Sequence, residues 1–513
     1  MRYLLGLDNG GTTTKAAIYD LYGKEICVSS TETKMLTPLP DFVERDMEEM
    51  WNANCMVIRE AIHKSGIGPE EISAVAVCGH GKGLYLIDAN GKPVRNGIIS
   101  TDNRSWAYRE KWMQDGTADK VYQYTCQQIM ACQPVALLAW LRDHEPDSLE
   151  RACYLLPAKD YVRFRLTGEI SAELSDMSGT NLVNLWTRNY DDRILKLFGI
   201  EDCKRLLPPL IDSPVKIGGY ITEVAAEATG LKIGTPVAAG LWDMDACMLS
   251  TGVLDESYIS MIAGTWNINI YLNRKPVIDH SAMMNSCFSV PGHYMVEESS
   301  PTSAGANAWF IRTFLQKEKD ELKAQGDSIY DEMNQWVEEI PPQKFCPIFL
   351  PYVLGSNVHP NAKGCFIGMN ASHNLKHIVR GVYEGIAFTH RTHLLNLMKS
   401  YPGTPKAIRL AGGVTHSPVW AQMFADVMGM NIETVGTEET GAQGCAIAAS
   451  VTGKIYGSLS EAVDHMFQKG KTYFPNMKNH QIYLKKYQLY EGAIRSLDHI
   501  WDSYQQYIDE YNL

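Results

Sequence analysis

The chain has 513 residues, 45% apolar and 21% charged, enough for two or three domains with cores of their own. Its formal charge of -12 comes without acidic blocks, which favours solubility and argues against a nucleic-acid surface. No apolar run reaches the roughly 18 residues of a membrane span, the start lacks a charged-then-apolar secretory signal, and the 12 cysteines form no CxxC pair, so free thiols in the cytoplasm are expected.

In chain order, apolar runs at 3–7 and 16–19 read as two strands joined by Asp8-Asn9-Gly10-Gly11-Thr12-Thr13-Thr14-Lys15. The glycines expose backbone N–H groups, the threonines offer hydroxyls and Lys15 offers positive charge, a set suited to nucleotide phosphate. Asp8 is a hard oxygen ligand for magnesium. An ordinary Gly-Gly hairpin is the alternative, and the Walker pattern is absent.

Residues 48–63 have helical spacing, 72–78 read as a buried strand, and 84–87 and 98–99 as short strands. Gly79-His80-Gly81-Lys82-Gly83 follows the buried strand, so His80 and Lys82 could meet hydroxyl or carbonyl groups, or simply close a hairpin. Asp102, with Arg104 behind it, could grip vicinal hydroxyls or form a structural ion pair. Residues 134–144 have helical spacing. The apolar run 237–242 ends at Asp243, where a strand delivers a side chain into a crevice. A carboxylate there could take the proton of an attacking hydroxyl. Asp245 rivals it on position, and a helix N-cap is the bland reading.

Further on, 258–263 and 266–272 repeat the opening strand–turn–strand arrangement around Gly264-Thr265. The echo suggests two related domains facing one another across a cleft, residues 1–250 and 251–513, with the boundary within 246–256. Helical spacing recurs at 375–397 and 419–428. Gly412-Gly413, followed by the helix start Ser417-Pro418, leaves bare backbone where an adenosine could lie. Gly441 to Gly444 opens a small-residue segment suited to close helix packing. His390 and His393 lack an accompanying metal-site acid. Aromatic and apolar spacing at 483–507 reads as a terminal helix needing cover. The alternation throughout points to α/β architecture.

Together these residues resemble the FGGY carbohydrate kinases, along nearly the whole chain. The stretch 8–15 looks like the family's first phosphate loop. Lys159-Asp160-Tyr161, Leu166-Thr167-Gly168-Glu169 and Asp176-x-Ser178-x-Thr180 resemble its first-domain motifs. Gly364-x-Phe366-x-Gly368-Met369 with His377-Ile378 and Glu384 is similar to its C-terminal signature. Ala411-Gly412-Gly413 and Ser417-Pro418-x-Trp420 look like its adenosine-binding segment. The departures are Ala136 in place of a frequent lysine, Gly381 in place of Ala or Ser, and Gly355-Ser356-Asn357 where relatives often show Gly-Glu-Arg.

The resemblance implies two actin-like, hexokinase-type (ribonuclease H-like) domains closing over ATP and sugar. It implies that Asp243 is the catalytic base and that Asp8, with Thr12 and Thr13, addresses Mg2+ and phosphate. Gly11, Lys15, Gly264, Thr265, Gly412, Gly413 and Ser417 would serve the nucleotide. His80, Lys82, Asp102 and Asp243 would meet the sugar. Within the family, Val43 to Trp51, Gly81-Lys82-Gly83-Leu84 and Ser300-Pro301-Thr302-Ser303 look most like the L-xylulose kinase branch. The expected reaction is ATP-dependent phosphorylation of a ketopentose such as L-xylulose, the alternatives being another polyol or keto-sugar acid. A non-catalytic sugar sensor of this fold is the reading from another class. An NAD-linked oxidoreductase lacks its GxGxxG turn. A homodimer is left open.

Overall fold

The structure, a computed structural model, describes residues 2–356 and 358–511; Asn357 lies outside them. The chain forms two compact units, residues 1–255, 272–296 and 439–468, and residues 256–271, 297–438 and 469–513.

The first unit is built on a seven-stranded mixed sheet. Strand Tyr3–Asn9 runs antiparallel to Thr13–Tyr19 and parallel to Ile72–Gly79. Leu241–Trp242 pairs in parallel with the end of Ile72–Gly79, Trp242 facing Gly79. Because side chains alternate along a strand, Tyr3–Asn9 serves two faces. Leu5 and Leu7, with Ala16 and Ile18, pack into a core with Met47, Met50, Trp51 and Ile58 of helix Met47–Ser65. That helix is capped by Asp46, whose Oδ1 accepts from the Glu48 and Glu49 amides at 2.8 and 3.0 Å, and it ends at Gly66.

The other face carries Gly6 and Asp8 and meets helix Thr440–Thr452. This contact is a seam of bare backbone. A β-carbon on Gly6 would strike the Ala442 carbonyl and one on Gly441 the Asp8 carboxylate, while one on Gly444 would strike the Ala246 carbonyl of helix Asp243–Ser250 on the same helix's other contact. The sequence expectation of close packing at 441–444 thus finds its partners.

The second unit repeats the theme. Strand Tyr258–Ala263 is antiparallel to Asn267–Asn273 and parallel to Ala407–Ala411. Ile432–Val435 and Lys469–Tyr473 extend the same sheet. Helices Leu375–Leu397 and Pro418–Met428 match the spacing read from sequence. The terminal segment differs: it forms helix Met477–Leu497, a 3-10 turn Asp498–Ile500 and helix Trp501–Tyr511. Tyr483, Tyr487 and Tyr490 are buried, whereas Tyr504 and Tyr507 are exposed. Packing therefore holds the first part and reaches past the break as far as the buried Trp501, beyond which the tyrosines of the stripe are exposed.

No helix among the described residues is long and apolar enough to cross a membrane. All 12 cysteines are free.

Candidate active site

Three parallel strands of the first unit end side by side, and the candidate groups follow those ends. Asp8 is the penultimate residue of one strand, opposite Lys15 across the hairpin and level with Cys78 on the parallel neighbour. His80 follows Gly79, and Asp243 follows Trp242. Carboxyl ends of strands in open α/β sheets are where ligands bind. Burial pushes the Asp8 carboxyl up to about 6, against the opposing charge of Lys15. The turn 10–13 is tied down by Thr33, whose amide donates to the Thr12 carbonyl at 2.9 Å. Thr12 itself is exposed and Gly11 and Thr13 half-exposed.

Asp243 is the first residue of helix Asp243–Ser250; Trp242 holds the cap position and no side chain caps the helix. Asp243 Oδ1 accepts from the Met244 amide at 2.8 Å, and the residue is half-buried. Asp245 is fully buried, and its Oδ1 accepts from the Ser289 amide and Oγ at 2.8 and 2.6 Å. Burial holds its carboxyl well above the usual range. The two acids thus differ in environment: one opens to the strand ends, the other is locked inside.

His80 is buried and doubly engaged. Its Nε2 lies 2.9 Å from Tyr85 Oη and its Nδ1 3.5 Å from the Gly81 carbonyl. Burial, then the nearby Arg45 cation, pulls its pKa down to about 4. Burial keeps the Tyr85 phenol protonated, so Tyr85 donates to Nε2 and the ring is neutral. Lys82 adopts a left-handed backbone (φ 65°), with Nζ 6.0 Å from the centre of the Trp242 ring. Asp102 forms the ion pair weighed above. Arg104 Nε lies 2.9 and 3.0 Å from its two oxygens, and the Val43 amide donates to Oδ2 at 2.6 Å. The guanidinium carbon lies 4.1 Å from the centre of the Phe42 ring and 5.2 Å from that of Trp140, the two rings meeting edge to face. Most of the capacity of Asp102 is spent on holding this corner.

The motif residues 159–176 form a buried cluster beneath the same strand ends. Lys159 Nζ lies 2.8 Å from Asp160 and 3.7 Å from Glu173. Arg163 pairs with Asp160 at 3.1 Å. Asp176 is buried with no hydrogen-bond partner for either oxygen, and burial raises its pKa far above the usual range. Lys159 Nζ stands 4.0 Å from Asp176 and opposes that rise.

In the second unit, Gly264 and Thr265 form the hairpin turn, Thr265 exposed. Gly412, at φ 94°, packs against the Ala263 carbonyl, where a β-carbon would stand 2.5 Å away. Gly413, Ser417 and Trp420 line a cavity of about 420 Å³ with Tyr383, Asn334 and Asp331. Tyr383 and Trp420 stack at 4.0 Å. Ser417 Oγ receives the Trp420 amide at 3.1 Å and donates to Asn334 Oδ1 at 2.6 Å. Tyr383 Oη donates to the same oxygen at 3.2 Å, which turns the amide nitrogen of Asn334 away as a donor. Volume, aromatic wall and polar edge suit a nucleoside.

Sequence reasoning missed three contributors: helix Thr440–Thr452 against Asp8, Glu439 on Lys15, and Asn334 in the cavity. Only the last stood within a recognisable amphipathic helix, Ile329–Glu339.

Two hairpin-led sheets, acids at strand ends and a nucleoside-sized cavity go with a match to carbohydrate kinases over both sheets of the chain. Residues 3–250 match the N-terminal domain of the FGGY family of carbohydrate kinases and residues 259–453 its C-terminal domain, so the chain belongs to that family. Kinases of this family use ATP. The chain is 37% identical to the L-xylulose/3-keto-L-gulonate kinase of Escherichia coli K12, with 97% of each chain covered. It is 34% identical to a "Probable L-xylulose kinase" of Pasteurella multocida, covering 97% of this chain and 99% of that one. Among solved structures, a ligand-bound xylulose kinase of Lactobacillus acidophilus shares the fold, with a TM-score of 0.87, 24% identity and coverage of 98% of this chain and 100% of that one.

Proposed function

We propose that this kinase transfers the γ-phosphoryl group of ATP to a terminal hydroxyl of a ketopentose, L-xylulose first among candidates. The observation that carries the reading is the pairing of strand ends that bring Asp8, His80 and Asp243 to one edge of one sheet. Full-length likeness to L-xylulose kinases supports the choice of sugar. Asp243 accepts the hydroxyl proton as the new O–P bond forms. Lys82 and neutral His80 orient the sugar, with Asp102 holding the corner through Arg104. Gly11, Thr12, Thr13 and Lys15 meet phosphate, as do Gly264 and Thr265, while Gly412, Gly413 and Ser417 face adenosine.

Asp8 supplies a carboxylate for Mg2+. A single hard carboxylate fits an ion that arrives with the nucleotide and keeps phosphate and water ligands. When bound, the ion neutralises charge on the phosphates.

Lys82 favours a second substrate reading, a keto-sugar acid whose carboxylate would pair with the ammonium. An ADP-release screen across ketopentoses, pentitols, tetritols and keto-sugar acids tests both. Turnover of L-xylulose above the other neutral sugars is expected; release with none of them would sink the kinase assignment in favour of a sugar sensor. Lys82→Met should depress turnover of an acid more than that of a neutral sugar, and an equal loss on both rejects the second reading.

A further inference from the structure

The lysine of the first hairpin already has a partner. Lys15 Nζ lies 2.7 Å from Glu439 Oε2, the two side chains 30% and 18% exposed. Glu439 stands in the cap position of helix Thr440–Thr452, yet its carboxylate makes no capping hydrogen bond. Its backbone is held separately. The Glu439 carbonyl accepts from the Gln443 amide at 2.8 Å and from Tyr19 Oη at 3.3 Å. Only the side chain is spent on Lys15. Asp8 sits opposite Lys15 in register and against Gly441. The direct pair joins segments 424 residues apart in sequence.

We propose that Glu439 is a positioning residue that holds Lys15 in reserve and yields it to the polyphosphate of an incoming nucleotide. This rests on reading residues 8–15 as a phosphate turn. A dense polyanion outbids a single carboxylate for the ammonium. The released carboxylate stays at the N-terminal end of a 13-residue helix, where the peptide dipole favours negative charge. The exchange is therefore inexpensive for a nucleotide and unrewarding for a singly charged anion. Glu439 acts as a competitor that sets nucleotide affinity from below.

Calorimetric binding of the magnesium complex of a non-hydrolysable ATP analogue to the full chain tests this without any sugar. Glu439→Gln should bind the analogue about two- to fivefold more tightly than wild type, the worth of a partly exposed ion pair. Glu439→Ala should do the same, which guards against a residual hydrogen bond from glutamine. Lys15→Met should bind more weakly, and adding Glu439→Gln to Lys15→Met should change nothing further. The proposal is overturned if both Glu439 variants bind no tighter than wild type, or if their tightening survives in the Lys15→Met background. Should Lys15→Met alone bind like wild type, the phosphate reading of the turn falls, and the reserve role falls with it. Thermal melting of each variant separates these outcomes from misfolding.

Discussion

The two hairpins share a backbone plan and differ in chemistry. Each lays a strand antiparallel to its successor and parallel to a third strand from far along the chain. In the first, Asn9 pairs with Thr14 and four residues turn the chain; in the second, Ala263 pairs with Asn267 and three do. The first carries Asp8 and Lys15 and receives a helix terminus. The second offers Gly264, the Thr265 hydroxyl and no ionisable group. One plan thus yields a charged turn and a neutral one. Under the proposed roles, charge that holds a cation is needed once, whereas backbone and hydroxyl donors can be used twice.

The comparison can be broken in order of expected effect. Asp243→Asn, beside the charged hairpin, should lower kcat by about 10²–10⁴ in a coupled ADP-release assay; normal turnover would remove Asp243 as the base. Asp8→Ala should weaken the apparent magnesium affinity by about 10–100-fold, read from turnover against magnesium concentration. Thr265→Val, in the neutral hairpin, should raise KM for ATP by about tenfold through one lost charge-assisted hydrogen bond, leaving the magnesium dependence alone. If Thr265→Val moves the magnesium curve as far as Asp8→Ala does, the division of labour is wrong. Gly412→Ala, which puts a β-carbon on the Ala263 carbonyl at a left-handed backbone, should cost about 1–3 kcal/mol of stability, measured by denaturant unfolding.

The smallest effect concerns pH. Folded His80 stays neutral down to about 4, while its unfolded value is 6.5. Between those values the unfolded chain binds the extra proton, so this contribution to stability is full above 6.5 and fades as pH falls toward 4. In His80→Gln the loss of melting temperature on acidification should be shallower than in wild type, and parallel curves would contradict a buried neutral imidazole.

Much of this architecture was legible because the pattern is local. Apolar runs marked Tyr3–Asn9, Thr13–Tyr19 and Ile72–Gly79, and spacing marked Pro134–His144 and Leu375–Leu397. Asp243 was legible as the end of an apolar run, although its separation from Asp245 needed the resemblance. What stayed hidden depends on tertiary placement. Nothing near Asp245 announces Ser289, and nothing near Asp8 announces Gly441. The ion pair of Asp102 was visible as a possibility in Arg104, but its saturation by the Val43 amide was not. The terminal segment misled because aromatic spacing continues through Asp498–Ile500, where the backbone tightens.

The bare seam between strand Tyr3–Asn9 and helix Thr440–Thr452 also says where this enzyme can be re-engineered. Gly6 on the strand and Gly444, where the helix also meets Ala246, face backbone carbonyls that leave no room for a single methyl group, so substitutions there should cost stability. Under the proposed sugar contact, diversity aimed at new sugars belongs instead at the half-exposed Lys82 alone, since Gly81 and Gly83 on either side of it are closed off by Trp242 and the Ile98 carbonyl.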